Sequence, residues 1–116
     1  MFDDVTSVAL RSALDGLAAR QRTTSDNIAN INTPGFLAGR VQFEGALRDA
    51  VASGDPTQVE DVSATREPSL EPTQENGNNV NLDEETLSQT ETSLSNSHML
   101  RAVNDRFDLL KSAMGK

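Results

Sequence analysis

Apolar residues near the start of the chain recur at alternating steps of four and three. Leu10, Leu14, Leu17, Ile28 and Ile31 share one stripe, which Gln21 and Thr24 continue with polar groups. That spacing is the seam of a helix packed lengthwise on another helix, and it predicts a helix over residues 3–31. At 1.5 Å rise per residue such a helix is about 40 Å long. The polar seam residues fit either a partly wetted seam or a subunit contact that fixes register. Near the other end, Leu100, Val103, Phe107, Leu110 and Met114 are spaced three, four, three and four, predicting a second long helix over 82–114. Leu87 and Leu94 lie one position out of phase with that set, so this stripe drifts midway. Phe43, Leu47 and Val51 recur every fourth residue and predict a short helix over 41–52. Residues 53–79 hold Pro56, Pro68, Pro72 and Gly77, with only Val59, Val62 and Leu70 as sizeable apolar groups. So polar a stretch buries too little surface to offset its ordering entropy and is expected to be a mobile linker, unless it orders against neighbouring chains.

The helix boundaries have their own chemistry. Pro34 removes a backbone donor and disfavours helical geometry at Thr33, so the first helix should stop by about residue 32. Asn30 and Asn32 tolerate left-handed backbone, and Pro34-Gly35 suits a type II turn. Asn27 and Asn30 are sufficiently explained as local caps of this helix end. Asn76 to Asn79 signal another turn, and Asn81 followed by Glu84 resembles a capping box opening the second helix. Asp3 and Asp4 begin the first helix; Asp83, Glu84 and Glu85 begin the second, which has Arg101, Arg106, Lys111 and Lys116 towards its end. Both arrangements suit the helix dipole. Gly115 is a stop signal.

These elements give an all-α chain: two long terminal helices form an antiparallel coiled-coil hairpin, with a short helix and a polar, mobile middle segment. Its organisation divides into 1–36, 37–79 and 80–116. Two helices share only one line of contact, so a single pair cannot cover both stripes. Partial burial at about 25 cal/mol per Å², set against about 1–2 kcal/mol of backbone entropy per residue, leaves the lone chain marginal. The missing cover is most simply other protein chains.

Composition narrows the chemistry. The 116 residues suffice for one small domain, and hydrophobic content is 35% with four Phe and neither Trp nor Tyr. A net charge of −8 argues against nucleic acid, whose phosphates need clustered Lys and Arg. The acids concentrate in residues 41–81. The absence of cysteine excludes disulfides and thiolate metal sites. No apolar run approaches the roughly 20 residues of a membrane span, and no cleavable secretory signal is visible. His98 is the single histidine and lacks a partner at metal-ligand spacing, so a surface or interface role is expected. Helix-start electrostatics explains Asp83-Glu84-Glu85 more simply than a carboxylate pair or a calcium site. There is no phosphate loop and no nucleophile elbow. The expectation is a protein that is not an enzyme, with no catalytic residue, cofactor, metal or small-molecule substrate.

The stretch Asn27-Ile28-Ala29-Asn30-Ile31-Asn32-Thr33-Pro34-Gly35-Phe36 resembles the N-I-A-N-x-x-T-P-G-[FY] signature of bacterial flagellar rod and hook proteins. The resemblance continues from Leu14-x-x-Leu17-Ala18-x-Arg20-Gln21-Arg22 to Phe43-Glu44-x-Ala46-Leu47. It resumes over Asn76-Gly77-Asn78-Asn79-Val80-Asn81-Leu82-Asp83-x-Glu85 and in the closing helix. Within that group the chain is most similar to the flagella basal body rod family of the proximal rod. Leu37 departs from the basic residue often found there. The resemblance implies a structural subunit of the flagellar basal body, transmitting torque and assembling helically through its terminal helices. It also implies export through the flagellar type III export apparatus without signal cleavage. The implied partners are other copies, other proximal rod proteins and the rod-base adaptor next to the MS ring. In this reading Leu10, Leu14, Leu17, Ile28, Ile31, Leu100, Val103, Phe107, Leu110 and Met114 form the assembly seam. Asn27, Ile28, Ala29, Asn30, Thr33, Pro34, Gly35 and Phe36 shape the junction between helix and outer loop. The alternative is a cytoplasmic helical-hairpin adaptor or export chaperone that works by groove binding.

Overall fold

The computed structural model describes residues 4–115; the helix-end roles expected of Asp3 and Lys116 fall outside them. In chain order the elements are α1 (Val5–Ala29), β1 (Gly39–Gln42), α2 (Glu44–Ser53), α3 (Pro56–Glu60), β2 (Thr65–Pro68) and α4 (Leu82–Met114). Both long helices lie where the apolar periodicity predicts them. Asp4 caps α1 by accepting from the Ser7 backbone N–H at 2.8 Å. The helix ends at Asn30, two residues short of the proline limit, because the Asn30 N–H already closes a tighter turn on Asn27 O. Phe36 N–H then bonds Thr33 O at 3.2 Å with Gly35 at φ +76°, the type II turn expected of Pro34-Gly35.

The two long helices lie antiparallel. Arg106 reaches Asp4 and Ser7 at the start of α1, while Thr24 meets Ser88 and Asn27 meets Glu85 near its end. The molecule measures 65 × 26 × 15 Å, with a radius of gyration of 17.5 Å. A compact domain of this length has about 13 Å, so the chain is a short rod rather than a ball.

A two-stranded antiparallel sheet corrects the all-α expectation. Gly39 pairs with Pro68, Arg40 with Glu67, Val41 with Arg66 and Gln42 with Thr65. Periodicity missed it because each strand has four residues and every residue of β2 is exposed, leaving no alternation to read. The segment expected as a mobile linker carries α3, β2 and a turn. Asp55 caps α3 through the Thr57 N–H, Pro56 opens it, and Val59 is fully buried. One valine in register with a neighbouring face accomplishes what average composition hides.

The core has two small clusters along α1. Val8, Ala50 and Val59 form one, flanked by Val5, Leu47 and Val62. Leu17, Val41 and Phe43 form the other, flanked by Leu47, Ala64 and Met99. The Phe43 ring lies against Gly16, where a Cβ would fall 2.5–2.7 Å from ring carbons. Arg20 covers the ring with its guanidinium 5.0 Å from the centroid. It also donates to Val41 O at 2.7 Å and pairs with Glu44.

Burial of the Glu44 carboxyl opposes its ionisation, but the Arg20 bond and charge together with the Glu44 and Phe43 backbone N–H groups outweigh this and hold the group below its usual range. A depressed carboxylate contributes stability that is full above its unfolded pKa of about 4.3 and lost as pH falls through the lower folded value. The Glu44→Gln variant should therefore show a shallower loss of stability between about pH 5 and pH 3 than the parent chain. Urea midpoints measured across that range check it, and identical acid limbs would refute it.

Candidate functional site

The two motifs that carry the family resemblance, 27–36 and 76–85, are 58 positions apart at their outer ends yet form one polar junction. Asn27 is fully buried and does not cap its own helix. Its carboxamide pairs with a single residue of β1, donating to Gly39 O at 3.0 Å and accepting from Gly39 N–H at 3.0 Å. It thereby completes the edge of β1 as a neighbouring strand would. The same Nδ2 donates to Glu85 Oε2 at 3.1 Å. Asn30 fits the local reading: its amide returns to Asp26 O at 2.8 Å, and its oxygen accepts from Thr33 Oγ1.

Glu85 is fully buried as well, and Arg40 bonds it through Nη1 at 2.6 Å. Arg40 Nε donates to Glu84 Oε1 at 3.0 Å, and Nη1 also reaches Gly39 O at 2.9 Å. Burial works against the charged guanidinium, but bonds to Glu85 and Glu84 outweigh it and raise the Arg40 pKa further. This corrects the view of Asp83-Glu84-Glu85 as helix-start electrostatics alone. Glu84 and Glu85 turn inward to a cation on β1, and Glu84 does not complete the capping box. Asn81 still caps α4, accepting from the Asp83 and Glu84 N–H groups.

The Asn76–Asn79 turn docks on the helix stop. Asn78 is fully buried, with Nδ2 donating to Asn30 O at 2.9 Å and Thr33 O at 2.8 Å, so it binds two carbonyls of the turns that follow α1. Asn79 accepts from Ala38 N–H and donates to Glu71 O at 3.1 Å. Gly35 N–H bonds Asn76 O at 2.9 Å. Gly77, at φ +84°, meets Gly35 so closely that a Cβ on it would stand 3.3 Å from Gly35 Cα. Spacing alone gave no sign of this pairing; the cue was a run of asparagines with no helix of its own to cap.

The apolar stripes behave differently. On α1, Leu17 is buried and Leu10, Leu14 and Ile28 are half-buried, as is Ile31 in the turn after it, while the polar Thr24 is buried against Ser88. On α4, Val103 and Leu110 are half-buried, but Leu100, Phe107 and Met114 are 48%, 54% and 83% exposed. Leu10, Val103 and Phe107 meet in an open cleft of about 290 Å³ between the helices. Leu87, Leu94 and Leu109 are also more than half exposed but lie on a different face, so α4 carries two sets of apolar side chains with little cover from its own chain. His98 is exposed on α4. Among the described residues no acidic or histidine group is arranged to hold a metal ion, and no helix is long and apolar enough to cross a membrane.

Residues 9–36, most of α1 and the whole helix stop, match the family described as flagella basal body rod protein. The chain is 27% identical to the flagellar basal body rod protein FlgB of Bacillus subtilis, over 90% of this chain and 89% of that protein. It is 44% identical to FlgB of Borreliella burgdorferi over 40% of this chain and 34% of that one. Against FlgB of Borrelia hermsii it is 47% identical over 33% of this chain and 28% of the relative. The resemblance read from the motif is therefore borne out by whole-length and local similarity to FlgB proteins.

Proposed function

We propose that this chain, a relative of the flagella basal body rod proteins, is a structural subunit of the flagellar rod located in the basal body, and is not an enzyme. The observation that carries the reading is the set of exposed apolar side chains on α4, with Leu87, Leu94 and Leu109 on one face and Leu100, Phe107 and Met114 on another, on a chain that otherwise buries its motifs with care. Apolar side chains on two faces of a helix along a rod-shaped molecule are suited to completion by neighbouring chains. In this proposal the terminal helices assemble into coiled coils with other copies, with other proximal rod proteins and with the adaptor at the MS ring. Torque passes along those contacts. The subunit reaches its site through the type III export apparatus, and thin core packing lets it unfold for passage and regain stability on assembly.

The test separates assembly from folding. Leu94→Asp with Leu109→Asp alters two side chains that are 59% and 70% exposed, so the isolated chain should keep its helicity and melting midpoint. The same variant should fail to co-purify with basal bodies and leave cells non-motile. Normal swimming with an intact rod would overturn the proposal.

A further inference from the structure

We infer that Asn76 is a site of spontaneous covalent modification, conversion to aspartate or isoaspartate, held off by docking of its turn on the helix stop. Asn76-Gly77 is the sole Asn-Gly pair in the sequence. In such a pair no side chain on the following residue hinders approach of its backbone nitrogen to the asparagine carboxamide. The Gly77 nitrogen, losing its proton to base, attacks Asn76 Cγ; the new C–N bond closes a five-membered imide as the C–N bond to the side-chain nitrogen breaks and ammonia leaves. Water then opens the ring at either carbonyl. One opening gives aspartate; the other gives isoaspartate, in which the main chain runs through Cβ.

Three bonds oppose the attack in the folded chain. Gly77 N–H donates to Gln74 O at 2.9 Å, so the nucleophile is tied down in a tight turn that Gln74 N–H closes on Asn78 O at 2.8 Å. The Asn76 carboxamide oxygen accepts from Asn78 N–H at 3.1 Å, which turns the electrophile towards Asn78. The Asn76 carbonyl is held by Gly35 N–H at 2.9 Å. The last crosses to the helix stop and the first two are internal to the turn, whose shape is held where buried Asn78 clamps it to Asn30 and Thr33. The reaction therefore runs from opened or unfolded chains, and its rate follows their population.

The isoaspartate product does not fit the site it came from. Isoaspartate lengthens the backbone by one carbon and moves the carbonyl that Gly35 binds out of the main chain. Gly77 already stands too near Gly35 to admit a Cβ without a shift. A chain left undocked would thus acquire a permanent mark that prevents later closure of the junction. This inference concerns folding chemistry and does not rest on the rod reading.

The experiment incubates the native protein, the same protein in urea and a synthetic peptide of residues 72–80 in one mildly alkaline buffer. Peptide mapping by mass spectrometry and isoaspartate-specific methylation follow the product at Asn76. The peptide and the urea sample should convert at least about tenfold faster than the native protein. Asn78→Ala should raise the rate in native buffer while circular dichroism reports retained helix. Purified isoaspartate-containing protein should melt below the unmodified chain. Equal rates in native protein and peptide, or conversion at another asparagine first, would overturn the inference; so would an unchanged melt of the modified protein.

Discussion

Replacing Glu85 by alanine should lower the stability of the isolated chain by about 3 kcal/mol, the lower end of the cost of breaking a buried ion pair. The side chain is fully buried between Arg40 and Asn27, and both lose a partner when it goes. Arg40 retains Glu84 and Gly39 O, which keeps the loss from being larger. Asn27 Nδ2 retains only Gly39 O. The urea midpoint at neutral pH should fall, and hydrogen exchange at the Gly39 amide should quicken, because Asn27 holds that N–H. Glu85→Gln keeps an acceptor and should recover part of the loss. Arg40→Met combined with Glu85→Met removes both charges and should recover more than either alone, since an apolar pair avoids the desolvation cost. If Glu85→Ala leaves both the midpoint and the Gly39 amide unchanged, the junction does not hold the fold together.

The second large effect is expected at the contact of Gly16 with Phe43. Phe43→Ala should cost about 3–5 kcal/mol, the range for an aromatic residue removed from a packed site. Gly16→Val should cost about 1–3 kcal/mol from the opposite direction, since its Cβ would begin 2.5 Å from a ring carbon. The two substitutions touch the same space, so the double variant Gly16→Ala/Phe43→Leu should be less destabilised than the sum of its singles. Thermal melts of the four proteins decide this. Additive losses would mean that the ring and the glycine do not share a site.

The parts of this fold that were legible in the sequence are the parts written with a period. Leu10 to Ile31 and Leu100 to Met114 mark both long helices, and Thr33-Pro34-Gly35-Phe36 marks the turn between rod and loop. What was not legible depends on single residues acting across long stretches of chain. Val59 is alone in its polar segment, yet it is fully buried in a core cluster with Val8 and Ala50. Asn27 satisfies every local rule for a cap while bonding Gly39 and Glu85 instead. Glu84 satisfies the capping-box spacing while its carboxylate serves Arg40. In each case the local explanation was adequate, so nothing in the sequence forced a search for the distant partner. The exposed β2 offered no pattern because neither face of it meets the core.

The clasp between Asn27 and Glu85 also sets an order of events. Its two sides are separated by 58 positions, and the Ser7–Arg106 contact by 99. Until residue 85 has emerged from whatever conduit delivers the polypeptide, β1 has no seal on its outer edge and Arg40 no buried counter-charge. A polypeptide threaded from its amino end would stay pliable through most of its passage and stiffen only near the finish. Contacts so remote along the backbone are slow to find, so the long helices form well before the clasp that joins them.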